Sequence, residues 1–310
     1  MMKETVDLSI TLGKMNLKNP VMPAAGTFGY GSEFAEFVNL EELGAIIVKG
    51  TTLKPKLGNS QHRFTEVAGC AFIDAVGLQN VGVDRFIKDK LPYLRQFGTP
   101  VIINVAAEST EEFVKLVEIL DKADGIAGIE INISCPNVKK GGMRFGADPD
   151  MTFEVVKAIR NATDLTVIPK LTPNVTDVTV FAKVCEEAGA DALTCFNGPA
   201  GMAIDIKTRR SKLGKNLTGG VGGPWFKPIA LRLMWQVAQA VNIPIIGVGG
   251  ITNAEDALEF FIAGATAIQI GTYNLIDPQV TIKTIAGLRK YLIDNRMSNI
   301  KDVIGSLVIS

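Results

Sequence analysis

Histidine is almost absent from this chain of 310 residues, because His62 is the only one. A Ser-His-Asp triad or a histidine-rich metal site would have to depend on that single residue, which argues against both. Cysteine is scarce as well, and the four cysteines form no C-x-x-C pair and no zinc-binding spacing. We therefore expect no metal site, and we expect Cys185 and Cys195 to be buried as small apolar side chains in a helix and in a strand.

Neither sign of charge is in excess, since 32 lysines and arginines are balanced by 32 aspartates and glutamates. A nucleic-acid partner is not expected, because such proteins need a basic surface that neutralises phosphates. Long hydrophobic runs are missing too: no stretch reaches the ~18 uninterrupted apolar residues of a membrane-spanning helix, and the first residues contain no apolar signal region. We expect a protein of the reducing cytoplasm with no membrane association.

What the chain does contain is a repeated alternation of short apolar runs and helical patterns, in a composition that is 47% hydrophobic. The apolar runs are rich in Val and Ile and are continuous rather than alternating, as in the strands of a covered parallel sheet. Eight such runs lie at 19–26, 45–52, 100–107, 128–134, 165–173, 190–197, 243–250 and 267–273. Helical patterns lie near 33–43, 83–97, 109–123, 149–161, 176–188, 226–241, 253–263 and 278–295.

This alternation predicts an α/β fold, a (β/α)8 TIM barrel that forms a single domain over residues 1–310. Residues 5–18 are expected to form a hairpin that closes the bottom of the barrel. The connections 53–82 and 198–225 are too long for plain loops, and because both follow strands they should lie at the C-terminal face, where barrels carry their active sites. Ser109 and Asp148 are predicted N-caps of the helices that follow them.

Glycines close the last two predicted strands, in the segments 247–251 (GVGGI) and 269–272 (QIGT). Glycine lets backbone N–H groups approach a phosphate closely, and a following helix N-terminus favours an anion. The alternative is that these glycines only permit tight turns, but two such ends on neighbouring strands favour a phosphate site. A phosphorylated substrate, flavin mononucleotide (FMN) and pyridoxal phosphate all remain possible ligands of this corner.

Lysines and asparagines stand at the ends of the other strands: Lys49, Asn104, Asn132, Lys170 and Asn197. Such a set favours a planar ligand rich in heteroatoms and held by amide hydrogen bonds. A lysine beside a flavin would stabilise the negative charge of the reduced ring. The alternative for each lysine taken alone is an ordinary salt bridge at the barrel rim.

A cysteine follows the fourth predicted strand in the segment 132–137 (NISCPN). Cys135, with a proline after it, is a candidate nucleophile or proton-transfer residue. It lacks a histidine partner, so a thiol that acts as a general base beside a flavin fits better than a papain-like pair. The alternative is a buried structural cysteine.

These residues carry a family resemblance over nearly the whole chain. The sequence resembles the class 1 dihydroorotate dehydrogenases, specifically the NAD-linked B type, whose FMN barrel pairs with an iron–sulfur flavoprotein subunit. The matching stretches are 19–31 (NPVMPAAGTFGYG), 48–52 (VKGTT), 77–80 (GLQN), 132–138 (NISCPNV), 218–220 (TGG), 227–232 (KPIALR) and 247–251 (GVGGI). The resemblance implies an oxidation of dihydroorotate to orotate in pyrimidine biosynthesis, with hydride passing to FMN N5 and a proton passing to Cys135.

The resemblance also implies roles for individual residues. It implies that the FMN ring lies against Ala25, Gly26, Lys49, Thr51, Asn104, Asn132 and Lys170, and the FMN phosphate against Gly223, Gly249, Gly250, Gly271 and Thr272. It implies substrate contacts from Lys49, Asp74, Gly77, Leu78, Asn132, Asn137, Asn197 and Gly198. Cys135 and Lys49 are the implied catalytic residues.

Three positions depart from the family pattern. Asp74 stands where the family has an asparagine that helps to hold the orotate carboxylate, and two carboxylates in a closed site repel each other unless they share a proton. Gly198 stands where the family has a threonine or serine, and Val81 where it usually has proline. Either these are tolerated variants, or Asp74 and Gly198 select another substrate; in the second case Asp74→Asn with Gly198→Thr should improve orotate binding.

A partner is implied as well, because FMN buried in a barrel needs a relay to reach NAD. The resemblance implies a second subunit with FAD and a [2Fe–2S] cluster, in a homodimer or a heterotetramer. The chain has no cysteine set for such a cluster and no second Gly-x-Gly-x-x-Gly fold.

Three other functions remain open at this stage. One is an FMN-dependent reductase or dehydrogenase of a different cyclic C=C substrate. The others are a flavin-binding assembly subunit without chemistry and a phosphate-sugar isomerase.

Overall fold

Eight parallel strands form the central sheet of the protein, which is described from a computed structural model covering residues 6–67, 69, 71–133 and 145–309. The strands are β1 (Val21–Pro23), β2 (Ile46–Thr51), β3 (Val101–Val105), β4 (Gly128–Asn132), β5 (Thr166–Leu171), β6 (Leu193–Cys195), β7 (Ile245–Val248) and β8 (Ala267–Ile270). Their order in the sheet is β1-β8-β7-β6-β5-β4-β3-β2. The N–H of Gly44 donates to the carbonyl of Val21 at 2.9 Å, next to the two end strands. The sheet thus nearly closes, and the predicted (β/α)8 barrel is confirmed.

Helices surround this sheet because Val, Ile and Leu on the outer strand faces need an apolar cover. They are α1 (Val83–Arg85), α2 (Leu91–Leu94), α3 (Thr110–Asp121), α4 (Pro149–Ala162), α5 (Val178–Glu187), α6 (Lys227–Ala238), α7 (Ala254–Ile262) and α8 (Val280–Asp294). A π-helix over Phe86–Lys90 joins α1 to α2. Short 3-10 helices lie at Ser32–Phe34, Leu40–Glu42, Phe145–Ala147, Pro224–Phe226, Thr272–Leu275 and Ile300–Asp302.

The helix predicted near 33–43 is wrong, because the chain there forms two separate 3-10 turns. The side chain of Asn39 accepts a hydrogen bond from the N–H of Glu41 and starts the second turn anew. Two other local predictions are confirmed: Ser109 accepts from the N–H of Glu112, and Asp148 accepts from the N–H of Met151. Each thereby caps its helix, α3 or α4.

The predicted N-terminal hairpin is confirmed by two antiparallel strands, Ile10–Leu12 and Met15–Leu17. Lys14 lies in the turn of this hairpin, and its N–H donates to the hydroxyl of Thr166 at 3.1 Å. Because Thr166 is the first residue of β5, the hairpin covers the N-terminal end of the barrel.

The two long connections at the opposite end combine into one small sheet, which the sequence analysis did not predict. The connection after β2 supplies Phe64–Val67 and Ala71–Asp74, and the connection after β6 supplies Ala200–Gly201 and Gly219–Gly222. These four strands pair antiparallel, with Gly219–Gly222 between Ala200–Gly201 and Ala71–Asp74. A two-stranded ribbon of Ile204–Asp205 and Arg210–Ser211 extends the second connection. The two connections therefore hold each other in place above the barrel mouth.

Two cysteines lie in the core as predicted. Cys185 in α5 and Cys195 in β6 are both fully buried, and burial raises the pKa of both thiols. They are therefore thiols rather than thiolates at neutral pH. Across the part of the chain that is described, no helix combines the length and the apolar character that crossing a bilayer requires.

Candidate active site

A cavity of about 1000 Å³ opens at the carboxyl ends of the barrel strands, beneath the small antiparallel sheet. All eight barrel strands contribute a wall residue at or just after their end, because parallel strands bring their carboxyl ends to one face. The predicted site residues that line it are Ala25, Gly26, Lys49, Asp74, Gly77, Leu78, Asn104, Asn132, Lys170, Asn197, Gly198, Gly223, Gly249, Gly250, Gly271 and Thr272. Residues scattered along the chain thus meet around one space.

Three predicted residues are not part of this described wall. Thr51 is buried, and its hydroxyl donates to the carbonyl of Lys49 at 3.3 Å, so its side chain bonds within β2. Cys135 and Asn137 lie outside the described residues. Among the residues that are described, no group of three His, Cys, Asp or Glu side chains is placed to hold a metal ion.

A buried carboxylate that the sequence analysis missed lies just below the cavity. Glu130 in β4 is fully buried and accepts hydrogen bonds from Asn104 at 2.7 Å, Thr194 at 2.9 Å and Gln269 at 2.6 Å. The ammonium of Lys170 lies 3.3 Å from the same carboxylate. The available signal was a lone acidic residue inside the otherwise apolar strand GIEIN, since a buried charge needs partners.

Lys49, near the end of β2, lines the cavity in a half-buried position above an aromatic ring. Its ammonium lies 5.9 Å from the centre of the Tyr30 ring. The ammonium of Lys90 also lies over this ring, 5.3 Å from its centre. Burial lowers the pKa of Lys49; Glu33 opposes this shift and Arg63 adds to it. Lys49 is therefore a cation that loses its proton at a lower pH than a surface lysine does.

Val81, one of the departures from the family pattern, has a structural consequence. Its N–H donates to the hydroxyl of Tyr30 at 3.2 Å, a bond that a proline at this position could not make. Burial raises the pKa of Tyr30, with the Val81 bond opposing and Glu33 reinforcing the shift. Tyr30 is therefore a neutral ring beneath Lys49.

The predicted phosphate corner is built from closely packed glycine backbone. Gly249 and Gly250 have φ angles of +136° and +72°, which favour glycine. A Cβ at Gly250 would lie 2.6 Å from the backbone nitrogen of Lys227, and one at Gly249 would lie 2.6 Å from Ala230. The backbone of the β7 end thus lies directly against the start of α6, where an anion would meet N–H groups.

Asp256 holds this corner together from behind. Its carboxylate accepts from the ammonium of Lys227 at 2.7 Å and from the N–H and hydroxyl of Thr252 at 2.8 and 2.6 Å. Burial raises the pKa of Asp256, but the hydrogen bonds from Lys227 and Thr252 outweigh it and leave the pKa below its ordinary 3.8. The carboxylate therefore ties the start of α6 to the loop after β7.

An unsatisfied polar atom in the wall indicates where a ligand would bind. Among the described contacts, Oδ1 of Asn197 is buried and accepts no hydrogen bond. Such an atom costs free energy unless a donor reaches it, and the cavity is the side from which a ligand can supply one. With the glycine corner at one end, the wall residues fit a phosphorylated ligand that carries a ring with N–H groups.

Asn174 is another wall residue that the sequence analysis missed. Its side chain accepts from the N–H of Ala200 at 2.8 Å and donates to the hydroxyl of Thr172 at 2.9 Å. It therefore fixes the start of the connection 198–225 against the end of β5. A polar pair just after the fifth strand was the signal.

Asp74 and Gly198, two departures from the family pattern, both line the cavity. Asp74 lines the cavity from the small sheet and is exposed there, while partial desolvation by the protein atoms around it raises its pKa, opposed by a hydrogen bond from the N–H of Val76. A Cβ at Gly198 would lie 2.8 Å from the carbonyl oxygen of Val221 and 3.1 Å from its nitrogen. A threonine at position 198 would therefore require the backbone of Val221 to shift, so this packing opposes the prediction that Gly198→Thr contributes to tighter orotate binding.

The fold and this site define a (β/α)8-barrel enzyme with its chemistry at the carboxyl ends of the strands. The family model of dihydroorotate dehydrogenase matches residues 7–292, so the chain belongs to the dihydroorotate dehydrogenase family of oxidoreductases. It is 53% identical over 303 residues to "Dihydroorotate dehydrogenase B (NAD(+)), catalytic subunit" of Geobacter metallireducens, which covers 98% of this chain and 99% of the relative. It is also 51% identical to the protein of the same name from Thermoanaerobacter sp., over 98% of this chain and 100% of that relative.

Replacing Asp256 with asparagine should destabilise the protein by about 1–3 kcal/mol at neutral pH, because the charged hydrogen bonds are lost. Since the folded-state pKa of Asp256 is lowered, its contribution is present above the ordinary value of 3.8 and disappears as the pH falls below it. The difference between wild type and Asp256→Asn, measured by urea unfolding, should therefore shrink below that pH.

Glu259→Gln is the matched control, since Glu259 contacts the same lysine at 2.6 Å but is 45% exposed. Its effect should be within about 1 kcal/mol. Equal losses in the two variants would contradict a special role for Asp256.

Proposed function

We propose that this chain is an FMN-dependent dihydroorotate dehydrogenase, the catalytic subunit of an NAD-linked enzyme that oxidises dihydroorotate to orotate in pyrimidine biosynthesis. The observation that carries the proposal is the convergence of Lys49, Asn104, Asn132, Lys170 and Asn197 on one cavity that ends in a glycine corner. The names of the full-length relatives support it. The chemistry of the donors supports a ligand with a phosphate at one end and a ring with alternating N–H and C=O groups at the other.

FMN, when bound, supplies a hydride acceptor inside the cavity. The phosphate would be held by backbone around Gly223, Gly249, Gly250, Gly271 and Thr272, close to the N-terminus of α6. Asn104 and Lys170 would contact the ring from the barrel floor, with Ala25 and Gly26 at its side.

The chain's other wall residues would hold the substrate. The unsatisfied Oδ1 of Asn197 would accept a ring N–H, and Asn132 stands on the same wall. Lys49 would supply the positive charge that a carboxylate needs, with its ammonium held over Tyr30. Cys135, whose role is implied by the family resemblance, would take the proton from the substrate carbon.

A second subunit would carry the electrons onward to NAD. The relatives are named catalytic subunits, which supports a partner. We propose that this partner contains FAD and a [2Fe–2S] cluster, because the barrel encloses its ring site and the two described cysteines are buried thiols. A cytoplasmic heterotetramer is the corresponding assembly.

One observation favours a second candidate function, a reductase or dehydrogenase of another cyclic C=C substrate. Asp74 places a carboxyl group in the cavity where a negatively charged substrate would have to bind. A neutral ring, or one with a cationic group, would avoid the repulsion between two carboxylates. The protonation state of Asp74 decides between the two candidates.

The purified protein should be yellow and contain one non-covalent FMN per chain, because the cavity offers both a phosphate corner and ring-binding amides. Gly250→Ala should weaken FMN binding at least about tenfold, since its Cβ would meet backbone at 2.6 Å. Gly98→Ala is the control, because its Cβ would have no neighbour within 4 Å. Fluorescence titration of the stripped protein measures both, and a protein that takes up no FMN would exclude the flavin proposal.

Orotate binding should tighten as the pH falls, because protonation of Asp74, whose pKa burial raises above its ordinary 3.8, removes the repulsion between two carboxylates. Asp74→Asn should remove this dependence and improve binding above that pKa by roughly tenfold, equivalent to ~1.4 kcal/mol. The measurement is the dissociation constant of orotate from about pH 4 to about pH 8, taken from flavin difference spectra. A flat wild-type profile, unchanged in Asp74→Asn, would show that Asp74 does not face the bound carboxylate.

Cys135→Ser should slow reduction of the flavin by dihydroorotate by about 10²–10⁴-fold, the range that general-base catalysis supplies. A hydroxyl is a much weaker base than a thiol at neutral pH, so part of the rate should return at high pH. Anaerobic rapid mixing measures this step, with Cys185→Ser as the control for a cysteine remote from the cavity. An unchanged rate in Cys135→Ser would assign the proton to another residue.

A further inference from the structure

The carboxylate of Glu130 divides its contacts between two sides of the barrel interior. Its Oε1 accepts hydrogen bonds from the amide of Asn104 and the ammonium of Lys170, and both of these residues line the cavity. Its Oε2 accepts hydrogen bonds from the hydroxyl of Thr194 and the amide of Gln269, and neither of these residues is among the described wall residues. One oxygen therefore serves the site and the other anchors the carboxylate to the barrel.

This anchoring leaves the carboxylate little freedom. The ammonium of Lys170 also donates to Oε1 of Gln269 at 3.0 Å, while Nε2 of Gln269 donates to Glu130, so the three side chains form a closed ring of contacts. Each of the four described hydrogen-bond partners of Glu130 is a donor. A neutral glutamine in its place would direct its own N–H₂ group at one of these donors and would remove the negative charge that Glu130 places beside the ammonium of Lys170.

The amide of Asn104 is thereby oriented. Because its Nδ2 is used on Glu130, its Oδ1 points away from the carboxylate, and a Cβ at Gly50, a wall residue, would lie 3.2 Å from that oxygen. The cavity floor thus presents a fixed acceptor from Asn104 beside a fixed cation from Lys170. That pair matches a ring edge on which an N–H and a C=O alternate.

We propose that Glu130 is a positioning residue that fixes the amide of Asn104 with its oxygen toward the cavity and holds the ammonium of Lys170 beside it, so that both meet the ring of the bound cofactor. This inference rests on the proposed function, in which that ring is the flavin of FMN. Glu130 itself touches neither cofactor nor substrate, and it acts through the orientation of side chains that do.

The test compares FMN affinity and the shape of the flavin absorption band in wild type, Glu130→Gln and Thr194→Val. Glu130→Gln should weaken FMN at least about tenfold and change the band, because Asn104 and Lys170 are no longer held. Thr194→Val removes one hydrogen bond to the same carboxylate on the side away from the cavity. It should lower stability to urea but change the FMN dissociation constant less than about twofold.

A double-mutant cycle separates positioning from general destabilisation. The loss of FMN affinity caused by Glu130→Gln should be clearly smaller in an Asn104→Ala background than in wild type, because the residue through which Glu130 acts is gone. Equal losses in both backgrounds, or an equal loss in Thr194→Val, would overturn the inference. Where Glu130→Gln yields no folded protein, Glu130→Asp makes the same test, since it keeps the charge but shortens the reach, and wild-type affinity in it would overturn the inference as well.

Failure of the inference is distinguishable from failure of the proposed function. Wild-type protein that binds no FMN would overturn the proposed function and this inference with it. Wild-type protein that binds FMN, together with a Glu130→Gln protein of equal affinity and identical spectrum, would overturn the inference alone.

Discussion

A fully buried carboxylate must be surrounded by donors, and this constraint organises the interior of the barrel around Glu130. The donors to Glu130 come from four other strands, through Asn104 in β3, Lys170 in β5, Thr194 in β6 and Gln269 in β8. Asn104 and Lys170 come from the two strands that flank β4, whereas Gln269 comes from β8, four strands away in the sheet order. The same bonds set the height and direction of the polar groups at the cavity floor, so the packing of the barrel and the geometry of the site have one physical origin.

A second constraint acts above the floor, where the chain has to enclose a cavity without filling it. The small antiparallel sheet does so by pairing strands from two connections that are far apart in the sequence, Ala71–Asp74 and Gly219–Gly222. Gly198 has no room for a side chain because it packs on the backbone of Val221 in this sheet. Asp74 is therefore the residue of this small sheet that brings a titratable group to the cavity. Substrate charge and the protonation of this group are coupled as a result.

The barrel was predictable from sequence because its strands are continuous Val and Ile runs and its helices begin at recognisable caps, Ser109 and Asp148 among them. The site followed largely from the rule that parallel strands bring their ends together, which placed Lys49 and Asn197 on one cavity. What could not be predicted depends on distant pairing. The small sheet pairs Asp74 with Gly220, and Gln269 donates to Glu130 across 139 positions of the chain. The failure near 33–43 arose from a local side-chain bond of Asn39 that interrupts the helix.

The central claim is that the cavity accepts dihydroorotate beside a flavin. Its most direct measurement is an anaerobic titration of the flavin absorbance of the FMN-loaded protein with dihydroorotate, and in parallel with dihydrouracil, which has the same ring but no carboxylate. The account predicts complete bleaching by a stoichiometric amount of dihydroorotate and none by dihydrouracil, because the ammonium of Lys49 supplies the positive charge that favours a carboxylate. A flavin that stays oxidised with dihydroorotate, or one that dihydrouracil bleaches instead, would contradict it.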